Sequence, residues 1–168
     1  MQLSEHFSRA ELEASQVATR AGIDNTIPDN LLPQATAFCS SVLEPVRALV
    51  NSHLNRNDAD PQPRDYPLTV SSGYRCIALN RELKSKDTSQ HISMEACDIQ
   101  QARIAPFDLA CIIRGSGMPF DQLILEFGGW VHISYRPMGV GNRQQCLTIR
   151  RNREKKVEVA VGIVEREA

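Results

Sequence analysis

The chain has 168 residues, with 19 basic against 20 acidic side chains and a net charge of −1. That length suits one compact domain able to bury a core without disulfide or metal staples, and the balanced charge leaves no field to hold a nucleic-acid backbone. No stretch reaches the roughly 18 to 20 apolar residues of a membrane span, and the opening Met1-Gln2-Leu3-Ser4-Glu5 begins no apolar run of signal-peptide length, which predicts cytoplasmic synthesis without a signal peptide.

Ser8 and Glu11 form a capping-box pattern, so a first helix is expected from about Arg9 until Gly22 breaks it. From Asp29 to about Leu54 the apolar residues Leu31, Leu32, Ala35, Phe38, Val42, Val46 and Leu49 recur at three- and four-residue steps, the mark of one face of a long helix. Pro33 fits its first turn, whereas Pro45 removes an internal hydrogen bond and predicts a kink. Asn55 to Pro67 is polar and holds three prolines, which reads as a surface loop. A short strand is expected over Leu68 to Ser72, a helix over Ile77 to Lys84, a polar loop over Ser85 to Gln90, and a strand over Ala96 to Gln100. Pro106 opens a further helix to about Arg114. Gln122 to Phe127, Val131 to Tyr135 and Cys146 to Arg150 read as strands separated by turns that carry glycine.

Helices first and strands later predict an α+β fold with an antiparallel sheet backed by helices. The domain is expected over residues 1–150. Residues 151–168 form a C-terminal tail in which Val157, Val159, Val161 and Ile163 alternate with other residues, the period of a half-buried edge strand. The five cysteines, Cys39, Cys76, Cys97, Cys111 and Cys146, lie far apart with no Cys-x-x-Cys pair, so reduced thiols are expected rather than a disulfide framework or zinc knuckle.

Only four histidines are present, and His6 and His53 lie in polar contexts without obvious partners for chemistry. His91 follows a polar loop, and seven residues later Asp98 sits between apolar neighbours, where a carboxylate is costly unless paired or bound to metal. Strand alternation sends Asp98 and Cys97 to opposite faces. Glu126 and His132 are an even number of residues apart, so a strand pair turning through Gly128 and Gly129 can face both toward one cleft. Two histidines and a carboxylate leave tetrahedral zinc an open position, and a further carboxylate can take a proton from water there. The spacing alone equally fits a solvated loop histidine, a strand-end aspartate and a core histidine.

The string Ser89-Gln90-His91-Ile92-Ser93-Met94-Glu95-Ala96-Cys97-Asp98 resembles the Ser-x-His-x-x-Gly-x-Ala-x-Asp signature of the D-alanyl-D-alanine carboxypeptidase family of zinc peptidases. Glu126 to His132 is similar to its second signature, and Ser71-Ser72-Gly73-Tyr74-Arg75 to its Ser-Gly-Tyr-Arg segment, in the usual order. The resemblance runs from about Leu3 to Arg150 and implies the hedgehog-like peptidase fold. It makes His91, Asp98 and His132 the zinc ligands and Glu126 the catalytic base. Arg75 would meet the substrate carbonyl or carboxylate, Ser89 would bind substrate or support the site, and Trp130 and Tyr135 would line the cleft. Met94 departs from the pattern by standing where the signature has glycine.

The expected substrates are peptidoglycan stem peptides, cut by a D-alanyl-D-alanine carboxypeptidase. L-alanyl-D-glutamate endopeptidase activity, as in an endolysin, and a zinc-binding module without catalysis are the alternatives that the resemblance leaves open. Compact relatives of this kind are frequent in phage and prophage, which implies action on the wall after release or lysis.

Overall fold

The computed structural model describes residues 1–58, 62–136 and 141–165, so the centre of the expected loop over Asn55 to Pro67 and the last three residues of the tail lie outside the described residues. Ser8 caps the first helix as its pattern predicts, with its hydroxyl accepting from Glu11 N and the Glu11 carboxylate accepting from Ser8 N. The helix is shorter than expected. α1 (Arg9–Glu13) stops at Ala14, and Ser15 caps a second helix, α2 (Gln16–Ala21), which ends at the left-handed Gly22.

The long apolar-faced segment is helical from Asp29 to Asn57 but not uniformly so. A 3₁₀ turn (Asp29–Leu31) leads into α3 (Leu32–Phe38), then a π-helical turn (Cys39–Leu43), then α4 (Glu44–Asn57). The wide turn lies directly before Pro45, where Glu44 N–H donates to Cys39 O. Proline lacks an N–H and its ring crowds the carbonyl four residues back, so a widened turn accommodates it within the helix. After α4 the chain is stitched back by Asn51, which exchanges hydrogen bonds with the main chain of Tyr66.

The remaining elements are β1 (Thr69–Ser72), α5 (Ile77–Glu82), β2 (Ala96–Gln100), α6 (Pro106–Gly115), β3 (Gln122–Glu126), β4 (Trp130–Ser134), β5 (Gln145–Arg151) and β6 (Val157–Val161). Among the described residues the strands form one sheet in the order β1-β2-β4-β3-β5-β6. Four of its ladders are antiparallel; β3 and β5 pair in parallel, because the chain from β4 returns along the far side of β3. The fold is α+β with helices on one face, and is consistent with the hedgehog-like peptidase fold.

Register assigns the two faces. Cys97, Ile99, Leu123, Leu125, Val131 and Ile133 point to the helical side and join Phe38, Val42, Val46, Leu109 and Ile113 in one buried core. The opposite face carries Asp98, His132, Ile124 and Glu126, since Asp98 pairs with His132, His132 with Ile124, and Glu126 with Trp130. Ile149 pairs with both Glu126 and Val159, so the alternating valines of β6 share that open face. The tail thus extends the sheet, but Val157, Val159 and Val161 are exposed where their period suggested burial. They stand on the face opposite the helical core, which is why alternation does not become burial here.

Candidate metal centre

β2 and β4 place Asp98 opposite His132, and the β3–β4 hairpin places Glu126 two residues along the same face. The hairpin turns through Phe127 and Gly128, both at positive φ, with Gly129 N–H donating to Glu126 O. That tight return keeps Glu126 and Trp130 paired. His91 arrives from the other side on the turn Ser89–Ile92.

His91 is buried, and its Nδ1–H donates to the Gly73 carbonyl at 2.7 Å. Burial pushes its pKa below the usual histidine value, outweighing the pull of Asp98, which favours the neutral ring that can ligate a metal. The Nε2 lone pair then faces Asp98 Oδ1 at 3.3 Å and His132 Nδ1 at 3.2 Å, while His132 Nδ1 and Asp98 Oδ1 lie 3.0 Å apart. Burial opposes the charge on Asp98, but the adjoining His132 and His91 imidazoles more than offset it and hold the carboxyl well below its ordinary range.

Three electron-pair donors therefore converge, and His91, Asp98 and His132 form a cluster able to hold a metal ion. The edges of the triangle can be tested against zinc. Tetrahedral bonds of about 2.0–2.2 Å imply donor separations of roughly 3.3–3.5 Å. Separations of 3.0 to 3.3 Å leave the ion its place after a small outward adjustment of the donors. The residues present fit zinc in type and spacing.

Arg75 supports this cluster from behind. Its Nη2 donates to Asp98 Oδ2 at 2.5 Å, Nε donates to Ser72 Oγ at 2.9 Å, and its main-chain N–H donates to the His91 carbonyl. Asp98 is thereby held with Oδ1 toward the histidines. The arginine is no surface salt bridge: both partners are largely buried. Asn25, which the sequence reading passed over, donates to Glu13 O and Tyr74 O and accepts from Cys76 N, fixing the segment that carries Gly73 and Arg75. A buried asparagine bonded only to main-chain groups leaves no local pattern to find.

Glu126 is half-buried, and burial followed by the charge of Asp98 raises its pKa above the ordinary carboxylate value. The Trp130 indole N–H lies near enough to favour the ionised form, yet it is buried without completing a hydrogen bond. Trp130 thus stands beside Glu126 on the open face. Tyr135 instead packs against the core, and Ser89 supplies main-chain bonds to the turn that presents His91. His6 is paired with Glu44, far in sequence from the cluster, and His53 is exposed on α4.

A sheet face bearing Asp98, His132 and Glu126, with His91 brought over it by a turn, gives a site able to hold a metal ion beside a further carboxylate. The profile of the peptidase M15 family matches residues 5–134, and the chain belongs to that family of zinc peptidases. No curated protein matches the chain.

Proposed function

We propose that the protein is a zinc metallopeptidase that hydrolyses peptidoglycan stem peptides as a D-alanyl-D-alanine carboxypeptidase. One observation carries the reading: the donor triangle of His91, Asp98 and His132 shares its sheet face with Glu126, whose pKa is raised toward the range useful to a base. Zinc bound there would supply the Lewis acidity that polarises a peptide carbonyl and acidifies water. Glu126 would accept the proton of the attacking water and pass it to the leaving amine. A carboxylate beside an open coordination position has no use in a purely structural site, which argues against the module without catalysis.

Five free cysteines, two of them buried, suit folding in a reducing compartment, and we propose cytoplasmic synthesis followed by action on the wall at release or lysis, as in phage or prophage enzymes. Incubating zinc-loaded protein with purified muropeptides and weighing the products tests the function. Loss of a single alanine is the expected result. Internal cleavage would move the assignment to L-alanyl-D-glutamate endopeptidase, and absence of product would sink the enzymatic reading.

A further inference from the structure

Between α2 and β1 lies a groove of about 880 Å³, walled by Gln16, Thr19 and Arg20 on one side and Val70 and Ser72 on the other, with Arg75 also in its lining. Arg75 joins it to the candidate metal centre, because the same guanidinium holds Asp98 Oδ2 while Asp98 Oδ1 belongs to the donor triangle. A ligand lying in the groove therefore meets the arginine that holds Asp98. β1 is also an edge strand of the sheet, so an extended peptide beside it has a main-chain edge to pair with.

The charge of the groove is lopsided. Its lining holds two guanidiniums and no carboxylate among the described residues. Arg75 is neutralised by Asp98, whereas Arg20 is exposed and forms no ion pair among the described residues. A chain with a net charge of −1 thus presents an uncompensated cation in the groove that Arg75 closes. An arginine in the last turn of a helix also answers the helix dipole, but that role does not depend on what occupies the groove.

We propose that this groove receives an extended segment of the peptide substrate, and that Arg20 binds an acidic group of that segment. The inference rests on the peptidase reading and specifies its substrate: an extended peptide carrying a carboxylate away from the bond that is cut. Arg75 closes the inner end and Arg20 reads the charge farther out.

Calorimetric binding to zinc-loaded Glu126→Gln protein, which should not turn substrate over, tests this directly. The probes are L-Ala-γ-D-Glu-L-Lys-D-Ala-D-Ala and the same peptide with the free α-carboxyl of its D-glutamate amidated. Amidation is expected to weaken binding by about tenfold, the equivalent of one charge-assisted contact. Adding Arg20→Glu should weaken the acidic peptide and abolish the preference between the two, while Arg20→Lys should keep the preference. Equal binding of both peptides, or a preference that survives Arg20→Glu, would overturn the groove assignment and leave the peptidase reading intact. No binding of either peptide, together with no product from muropeptides, would overturn both.

Discussion

Met94 stands where the resemblance expects glycine, and its φ of 57° is the left-handed conformation that glycine adopts freely. The side chain is fully buried in the core. Left-handed backbone costs a non-glycine residue roughly 1–2 kcal/mol, whereas burying a methionine contributes about 1.5–3 kcal/mol. Packing wins here. Met94→Gly should therefore destabilise the protein by about 1–3 kcal/mol, the cavity it leaves outweighing the relieved strain, and a raised melting temperature would show the reverse balance. Arg75 acts at the same scale. Because it holds Asp98 in place, Arg75→Ala should weaken zinc binding by about 10- to 100-fold, as loss of a partner behind a metal ligand does; competition with a chromogenic chelator measures this, and unchanged affinity would confine Arg75 to substrate contacts. The histidines were legible because only four are present, and Asp98, one of nine aspartates, because it lies between apolar neighbours where a lone carboxylate is costly. Gly73 O and Asn25 were not, since their parts are played through main-chain bonds across long sequence separations.

Gly73 ties three elements together, and its lack of a side chain is what permits the arrangement. A Cβ placed there would lie 2.6 Å from Leu12 O and 2.8 Å from Leu12 Cα, main-chain atoms of α1 that cannot swing aside. The same contact is fastened by Tyr74 N–H donating to Leu12 O, while Gly73 O holds His91. Gly73→Ala should thus push α1 off β1, cost about 1–3 kcal/mol of overpacking and lower zinc occupancy as His91 loses its anchor; thermal melting and metal analysis read the two effects, and normal values of both would refute the close-approach argument. Sequence pattern located most elements because capping residues and strand periods are local. It ran α1 and α2 together, although Ser15 offers a second cap, because a two-residue break leaves apolar spacing almost undisturbed. The parallel pairing of β5 with β3 carried no local signal, since alternation names a strand without naming its neighbour or direction.

At the scale of the whole molecule, one sheet divides stabilisation from chemistry: its helical face supplies the core, and its open face carries groups that burial and charge do not favour. Glu126 shows the conflict. Its carboxyl titrates above the ordinary glutamate value of 4.5 because burial and Asp98 disfavour the charge. In the unfolded chain the group ionises near that ordinary value, so the folded state binds its proton more tightly. Its stabilising contribution is complete below 4.5 and is lost as pH rises through the folded-state pKa. A neutral amide of the same shape would escape the loss. Metal-free Glu126→Gln protein should therefore melt at a higher temperature than metal-free wild type near neutral pH, and the difference should vanish below pH 4.5. Bound zinc should shrink the gain, because a nearby cation favours the ionised carboxylate and removes part of the penalty. Melting curves of both proteins across this range, with and without metal, decide the matter. A gain that does not depend on pH would trace to packing or hydrogen bonding of the amide, and no gain at neutral pH would mean that the fold bears no cost for its charged base.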